Sequence, residues 1–308
     1  MPLFLVTSDR FADHLTPPGH PERPERAEVM QVIGSRFRAT GGAVLEPRAA
    51  TDEDLTRVHT REHLASLASV RGTAAMLDPD TFTSPESEDV ARLAAGAVLT
   101  AIDCVRGRPD HARALALVRP PGHHAEAAKA MGFCLFNNVA VGAAYARVSG
   151  AARVAIVDFD VHHGNGTQWT FYDDPTVLFA SSHQFPYYPG TGAAEESGRG
   201  AGTGFTLNVP LEVGATDRDV EDAYARVVLP RVRAFEPELI MVSAGFDAHE
   251  NDPLGQLRMT TAGFGRLTKA IVDLADEVCA GRVVLVTEGG YDLHALAECL
   301  QTVIDVCR

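Results

Sequence analysis

Asp158, Asp160, His162 and His163 fall within six consecutive positions, a density of carboxylates and imidazoles suited to holding a metal ion or moving protons. On an extended segment, positions 158, 160 and 162 share a face, so two carboxylates and one imidazole point the same way. Such a donor set suits Zn²⁺, Fe²⁺, Mn²⁺ or Co²⁺. The plainer alternative is a pair of solvated acids beside satisfied core histidines. Four ionisable groups at the end of an apolar run are costly unless paired or metallated, which favours the metal. Asp247 and His249 end a second apolar run, and Asp247 is read either as a helix cap or as a third ligand. Asp160, His162 and Asp247 together would leave a coordination position open. His123-His124, after Arg119-Pro-Pro-Gly, is a tandem that could supply a base and an acid.

Elements must bring these residues together. Apolar, β-branched runs at 3–7, 114–118, 154–159, 177–180, 239–244 and 283–288 predict strands. Helical patterns occupy 23–37, 87–105, 138–148, 217–234, 261–279 and 292–306, with Ser87 and Thr261 as N-caps. This alternation predicts an α/β fold with a parallel sheet buried on both faces. Ligands bind such sheets at the carboxyl ends of strands. Arg119–His124, Asp158–Gly166, Ala244–His249 and Glu288–Asp292 all fall at such ends, so four polar segments converge on one site. The glycine-rich stretch 190–204 reads as a surface loop near its mouth.

Composition narrows the setting. The 308 residues are 45% apolar, contain no internal repeat, and read as a single domain over 1–308. Five scattered cysteines without a Cys-x-x-Cys pair exclude a cysteine zinc cluster and suit a reducing, cytoplasmic setting. A net charge of −14 disfavours nucleic acid as a partner. No apolar run of about 18 residues predicts a membrane span, and Met1–Thr7 lacks the features of a secretory leader.

Six motifs carry a resemblance. Arg119-Pro-Pro-Gly-His-His, Gly132-Phe-Cys-Leu-Phe-Asn-Asn, Asp158-Phe-Asp-Val-His-His-Gly-Asn-Gly-Thr-Gln, Tyr188-Pro-Gly-Thr-Gly, Ala244-Gly-Phe-Asp and Glu288-Gly-Gly-Tyr stand in order along the chain. Together with His20-Pro-Glu-Arg-Pro-Glu-Arg, they resemble the zinc-dependent histone deacetylase family over about residues 20 to 295. That family includes bacterial histone deacetylase-like amidohydrolases and acetylpolyamine amidohydrolases. Gly-Asn-Gly-Thr-Gln and Asp252-Pro-Leu-Gly look more like its class II members.

The resemblance implies the arginase/deacetylase fold, with a mainly parallel eight-stranded sheet and helices on both faces. It implies a zinc-dependent hydrolysis of acyl-lysine amides by metal-bound water, with Asp160, His162 and Asp247 as the ligands of Zn²⁺ or Fe²⁺. His124 matches the general base and acid, His123 its electrostatic partner, and Asp158 the carboxylate behind His123. Asn165 stands where class I members have aspartate, leaving His124 less readily charged. Tyr291 matches the donor to the oxyanion, with Gly289-Gly290 giving its backbone freedom. Gly132, Phe133 and Tyr188 match the tunnel that holds the lysine methylenes, Tyr188 replacing the usual phenylalanine. Asp158, Ser181 and Ser182, with carbonyls near Asp160 and His162, match a structural K⁺ site.

Leu254 occupies the position where polyamine-specific relatives place a glutamate, favouring an acyl-lysine peptide or protein. A small acylated amine is the alternative, through acidic rim residues such as Glu86 and Glu88. A binuclear manganese ureohydrolase or a non-catalytic acyl-lysine binding protein fits less well, because the histidine pair, ligand set and tyrosine are all present. The oligomeric state has no mark in the sequence.

Overall fold

The apolar runs at 154–159, 239–244 and 283–288 lie side by side in the middle of one sheet. A computed structural model of the protein describes residues 1–107 and 112–308. Its strands are β1 (Leu3–Val6), β2 (Ala43–Leu45), β3 (Ala75–Met76), β4 (Phe82–Thr83), β5 (Arg113–Ala116), β6 (Val154–Asp158), β7 (Val177–Gln184), β8 (Thr206–Leu211), β9 (Leu239–Ala244) and β10 (Val283–Thr287). Its first five α-helices are α1 (Glu25–Ala39), α2 (Asp52–Leu55), α3 (Arg61–Ser69), α4 (Ser87–Arg106) and α5 (Asn138–Val148). Then follow α6 (Asn165–Phe171), α7 (Asp217–Ala223), α8 (Leu229–Phe235), α9 (Thr261–Val278) and α10 (Leu293–Cys307).

Eight strands form the main sheet in the order β2-β1-β5-β10-β9-β6-β7-β8. Every neighbouring pair in it is parallel. Burial alternates by face, as a two-sided sheet requires. Ala155 and Val157 of β6 join a cluster with Met30 and Ile33 of α1, Leu267 and Ile271 of α9 and Leu300 of α10. Val154 and Ile156 face the other way, into a cluster with Val90 and Ala94 of α4 and Val139 and Ala143 of α5.

The expected α/β fold is present, and the sheet is wholly rather than mainly parallel. β2 and β8, its two edges, were not foreseen, nor were α2, α3, α6 or the β3–β4 hairpin. The helix expected over 217–234 is α7 and α8 joined by a π-turn at Tyr224–Val228. Pro230, in the first turn of α8, has no N–H for the regular ladder, which accounts for the break. Two cap assignments shift by one residue. Ser87 is the first residue of α4, and its hydroxyl is engaged by His14 and the Ser84 amide instead. Thr260, not Thr261, caps α9 by accepting from the Gly263 amide.

Candidate active site

Four neighbouring strands, β5, β10, β9 and β6, deliver the four polar segments to one end of the sheet. From the end of β6, Asp160 turns toward Asp247 beyond β9. One donor atom each from Asp160, His162 and Asp247 lies within 4.8 Å of the others, and all three residues are buried. His162 Nδ1 is 3.1 Å from Asp160 Oδ1 and 3.2 Å from Asp247 Oδ2. Backbone amides orient the carboxylates: Gly289 and His162 donate to Asp160, and Val161 donates to Asp247 Oδ1. Asp247 Oδ2 is buried and accepts from no backbone amide or hydroxyl; its near neighbour is His162 Nδ1, so with that imidazole neutral its lone pairs are left for a cation. A Cβ at Gly289 would collide with that same oxygen. Burial alone would lower the His162 imidazole, yet Asp160 and Asp247 hold it up at about 10. Burial, then Asp160, pushes Asp247 up to about 7. Oxygen, nitrogen and oxygen donors buried together at this spacing fit a divalent ion such as Zn²⁺ or Fe²⁺.

The tandem histidines are chemically distinct. His123 Nδ1 lies 2.9 Å from Asp158 Oδ2, and the Asp158 and Asp160 carboxylates overcome the effect of burial to raise it to about 10. His124 Nδ1 bonds Asn165 Oδ1 at 2.8 Å. Burial, then the charges of His123 and His162, hold His124 well below 6.5. A cationic and a neutral imidazole thus stand 4.0 Å apart between ring centres. Glu288 fixes the turn that carries them, accepting from the amides of Gly122 (2.6 Å) and His123 (3.2 Å). Gly164 is required here, because a Cβ would collide with Asp158 Oδ2.

A cleft leads to these groups, lined by His124, His162, Gly132, Phe133, Tyr188, Leu254 and Tyr291. Phe133 takes a left-handed conformation (φ 68°), and its amide donates to Thr81 Oγ1. It meets the Tyr291 ring edge-on at 5.8 Å. Burial keeps the Tyr291 hydroxyl protonated far above pH 10. The Tyr291 amide donates to Asp252 Oδ2 at 2.6 Å.

Ser181 lies opposite Asp158 in the β6–β7 register, but its hydroxyl pairs with His183, and that of Ser182 with Tyr224. His249 turns away from the cluster toward Thr261. The loop 190–204 supplies no wall of the cleft; its contribution ends with the tyrosines just before it. Glu86 and Glu88 do not form an acidic rim loop. Glu88 lies in the first turn of α4, is buried, and is paired with Arg71 and Arg92.

Several lining or supporting residues lay outside the sequence reading. Asp80 lines the cleft from the β3–β4 connection. Tyr187 lies parallel to His162, with ring centres 5.5 Å apart, and donates its hydroxyl to the Leu254 carbonyl. Arg26 and Arg119, both fully buried, share Glu22 Oε1. Arg26 also donates to the carbonyls of Glu288 and Gly290 and stacks 5.0 Å from the Tyr291 ring centre. None of these has metal-ligand spacing; their signals are the run His20-Pro-Glu-Arg-Pro-Glu-Arg, which holds Glu22 and Arg26, and the motif that Arg119 opens.

An α/β sheet with an Asp–His–Asp cluster able to hold a metal at its carboxyl edge defines a class of folds, and comparison with known proteins places the chain within it. The Histone deacetylase domain family matches residues 20–307. Histone deacetylase 15 of Arabidopsis thaliana is 42% identical over 93% of the chain, which spans 52% of that relative's length. A Probable deacetylase of Archaeoglobus fulgidus is 39% identical over 94% of the chain and 81% of its own length. A Histone deacetylase-like amidohydrolase of Pseudomonas aeruginosa is 40% identical over 93% of the chain and 76% of its own. The crystal structure of the HDA15 HD domain superposes with a TM-score of 0.92 at 38% identity, over 99% of this chain and 89% of that one. The chain belongs to the histone deacetylase family and has its arginase/deacetylase fold.

Proposed function

We propose that the protein is a metal-dependent deacylase that hydrolyses the amide of an N-acyl-lysine side chain, acetyl-lysine first among them. The observation that carries this is the buried Asp160–His162–Asp247 cluster, with an unpartnered Asp247 oxygen, at the foot of a cleft walled by Phe133, Tyr188 and Leu254. Membership of the family supports an acetylated amine as substrate. Asp160, His162 and Asp247 would hold Zn²⁺ or Fe²⁺, which supplies Lewis acidity toward the amide carbonyl and acidifies water. Asp158 and Ser181, adjacent in register, are the residues we assign to a monovalent cation such as K⁺.

The chain's own groups then have separable tasks. Neutral His124 accepts a proton at Nε2, since its Nδ1 is committed to Asn165. The same atom returns that proton to the departing amine. His123, held cationic by Asp158, provides fixed positive charge beside developing negative charge. The Tyr291 hydroxyl, kept neutral, donates to the carbonyl oxygen as it becomes an oxyanion. Gly132, Phe133 and Tyr188 exclude water from the methylene chain.

Leu254 in the cleft favours a lysine side chain, because an aliphatic wall gives nothing to a second cationic centre. Asp80 at the same cleft is the one observation that favours the acetylpolyamine alternative, since a carboxylate attracts a distal ammonium. A panel of acyl-lysine peptides and acetylated polyamines, assayed with metal-reconstituted protein, separates the two. Higher kcat/KM on acetyl-lysine peptides is the expected result; preference for the polyamines would transfer the assignment, and turnover of neither would overturn it.

A further inference from the structure

Asn165 is not the end of the chain of hydrogen bonds behind His124. Its Nδ2 donates to Glu126 Oε1 at 2.9 Å, with longer contacts to the His124 carbonyl (3.4 Å) and Met131 Sδ (3.5 Å), while its Oδ1 faces His124 Nδ1 at 2.8 Å. An amide side chain has one accepting and one donating end, and a carboxylate only accepts. Glu126 can therefore pair only with Nδ2, which leaves Oδ1 as the sole end available to His124. An acceptor at Nδ1 requires the proton on Nδ1, and so the lone pair on Nε2.

Glu126 is itself firmly held. Its amide donates to the Lys129 carbonyl at 2.9 Å, and its carbonyl accepts from His59 Nδ1 at 3.0 Å. His59 must donate there, because its Nε2 accepts from the Asn137 amide at 2.9 Å. His59 is buried and Glu126 only half-buried, so the anchor lies inside and the carboxylate at the edge of the site.

We propose that Glu126 is a positioning residue that acts through Asn165, fixing the amide so that His124 carries its proton on Nδ1 and turns a free Nε2 to the cleft. Its consequence for turnover rests on the reading of His124 as the proton acceptor; its consequence for the tautomer does not.

The test reverses the polarity of the relay. In E126K an ammonium, which only donates, draws Asn165 Oδ1 to itself and turns Nδ2 toward His124. The imidazole must then place its proton on Nε2. In the double variant E126K/N165D the aspartate restores an acceptor to His124 and pairs with the lysine. Metal-loaded protein labelled with ¹⁵N-histidine reports which His124 nitrogen is protonated. Expected are Nδ1–H in the parent and the double variant and Nε2–H in E126K. In E126K kcat should fall by about tenfold to a hundredfold with KM within about twofold, and the double variant should recover most of it. An unchanged tautomer in E126K overturns the proposal whatever happens to turnover. A switched tautomer with unchanged kcat upholds Glu126's control and overturns His124 as the proton acceptor. If E126K fails to fold, N165D alone, which sets two carboxylates against each other, decides by whether adding E126K restores activity; no restoration overturns the proposal.

Discussion

His123 and His124 are adjacent in sequence and alike in burial, yet their environments push them in opposite directions. A carboxylate behind the first favours its charged form, whereas burial, then the charges of His123 and His162, favours the neutral form of the second against a smaller opposing pull from its Asn165 hydrogen bond. In the proposed mechanism that split lets one residue hold charge while its neighbour moves a proton. Tyr291 completes the set with a hydroxyl that stays protonated. Tyr291→Phe should keep the metal and lose about a hundredfold to a thousandfold in kcat on an acetyl-lysine peptide; turnover near the parent value would remove the tyrosine from the mechanism. Asp247→Ala should abolish metal retention, read by elemental analysis after dialysis, and stoichiometric metal would refute the ligand set. At this scale the sequence was informative wherever residues cluster at a strand end. Asp80, Tyr187 and Glu126 escaped because each acts from a loop and gains meaning only from what lies across the cleft.

At the scale of elements, function depends on how closely strand ends approach. Gly289 follows β10 at the point where the Asp160 and Asp247 carboxylates meet, and a side chain has no room there. Gly289→Ala should reduce metal affinity far more than thermal stability, measured by metal titration alongside melting. Equal metal affinity would show that the carboxylates can move aside. Thr260 gives the contrasting case. Its hydroxyl caps α9 and donates to Asp217, remote from the cleft, so Thr260→Ala should cost about 1 kcal/mol of stability and leave kcat/KM untouched. The central strands were legible because burial on both faces makes them continuous apolar runs. β8 was not, because Asn208 and Pro210 interrupt it, and an edge strand tolerates both. β2, three residues of which none is buried, carries too little pattern to register.

For the molecule as a whole, buried charge is balanced over long distances. Asp158, Asp160, Asp247 and Glu288 are offset by His123 and by Arg26 and Arg119, which share Glu22. Burial would raise Glu22, but Arg119, His14 and Arg26 hold it far below its ordinary 4.5. Below that pH the unfolded chain binds a proton that the fold refuses, so stability falls. Histidines act in the same direction at higher pH: burial lowers His59 and His163 to about 3 and His183 to about 4. The unfolded chain protonates these from about 6.5 downward, so the urea midpoint should drop between pH 7 and pH 5. Asp247 and Glu288, which burial pushes up to about 7, act in the opposite direction over this range, so a rising midpoint would contradict the predominance of the histidines. Chelation should lower the melting temperature in a way that added Zn²⁺ reverses, since a ligand of the fold stabilises by mass action.

β10 belongs to residues 283–287 yet lies at the centre of the sheet, between β5 and β9. A chain emerging from the ribosome therefore makes both flanks of the sheet before it makes the strand that joins them. Until then β5 and β9 each expose an unpaired inner edge, and Arg26 waits for carbonyls more than 260 residues downstream. The carboxyl end of the sheet, where the Asp–His–Asp cluster lies, is complete only once residues 283–287 have been made. A nascent chain that has not yet reached them leaves two inner edges open to edge-to-edge association.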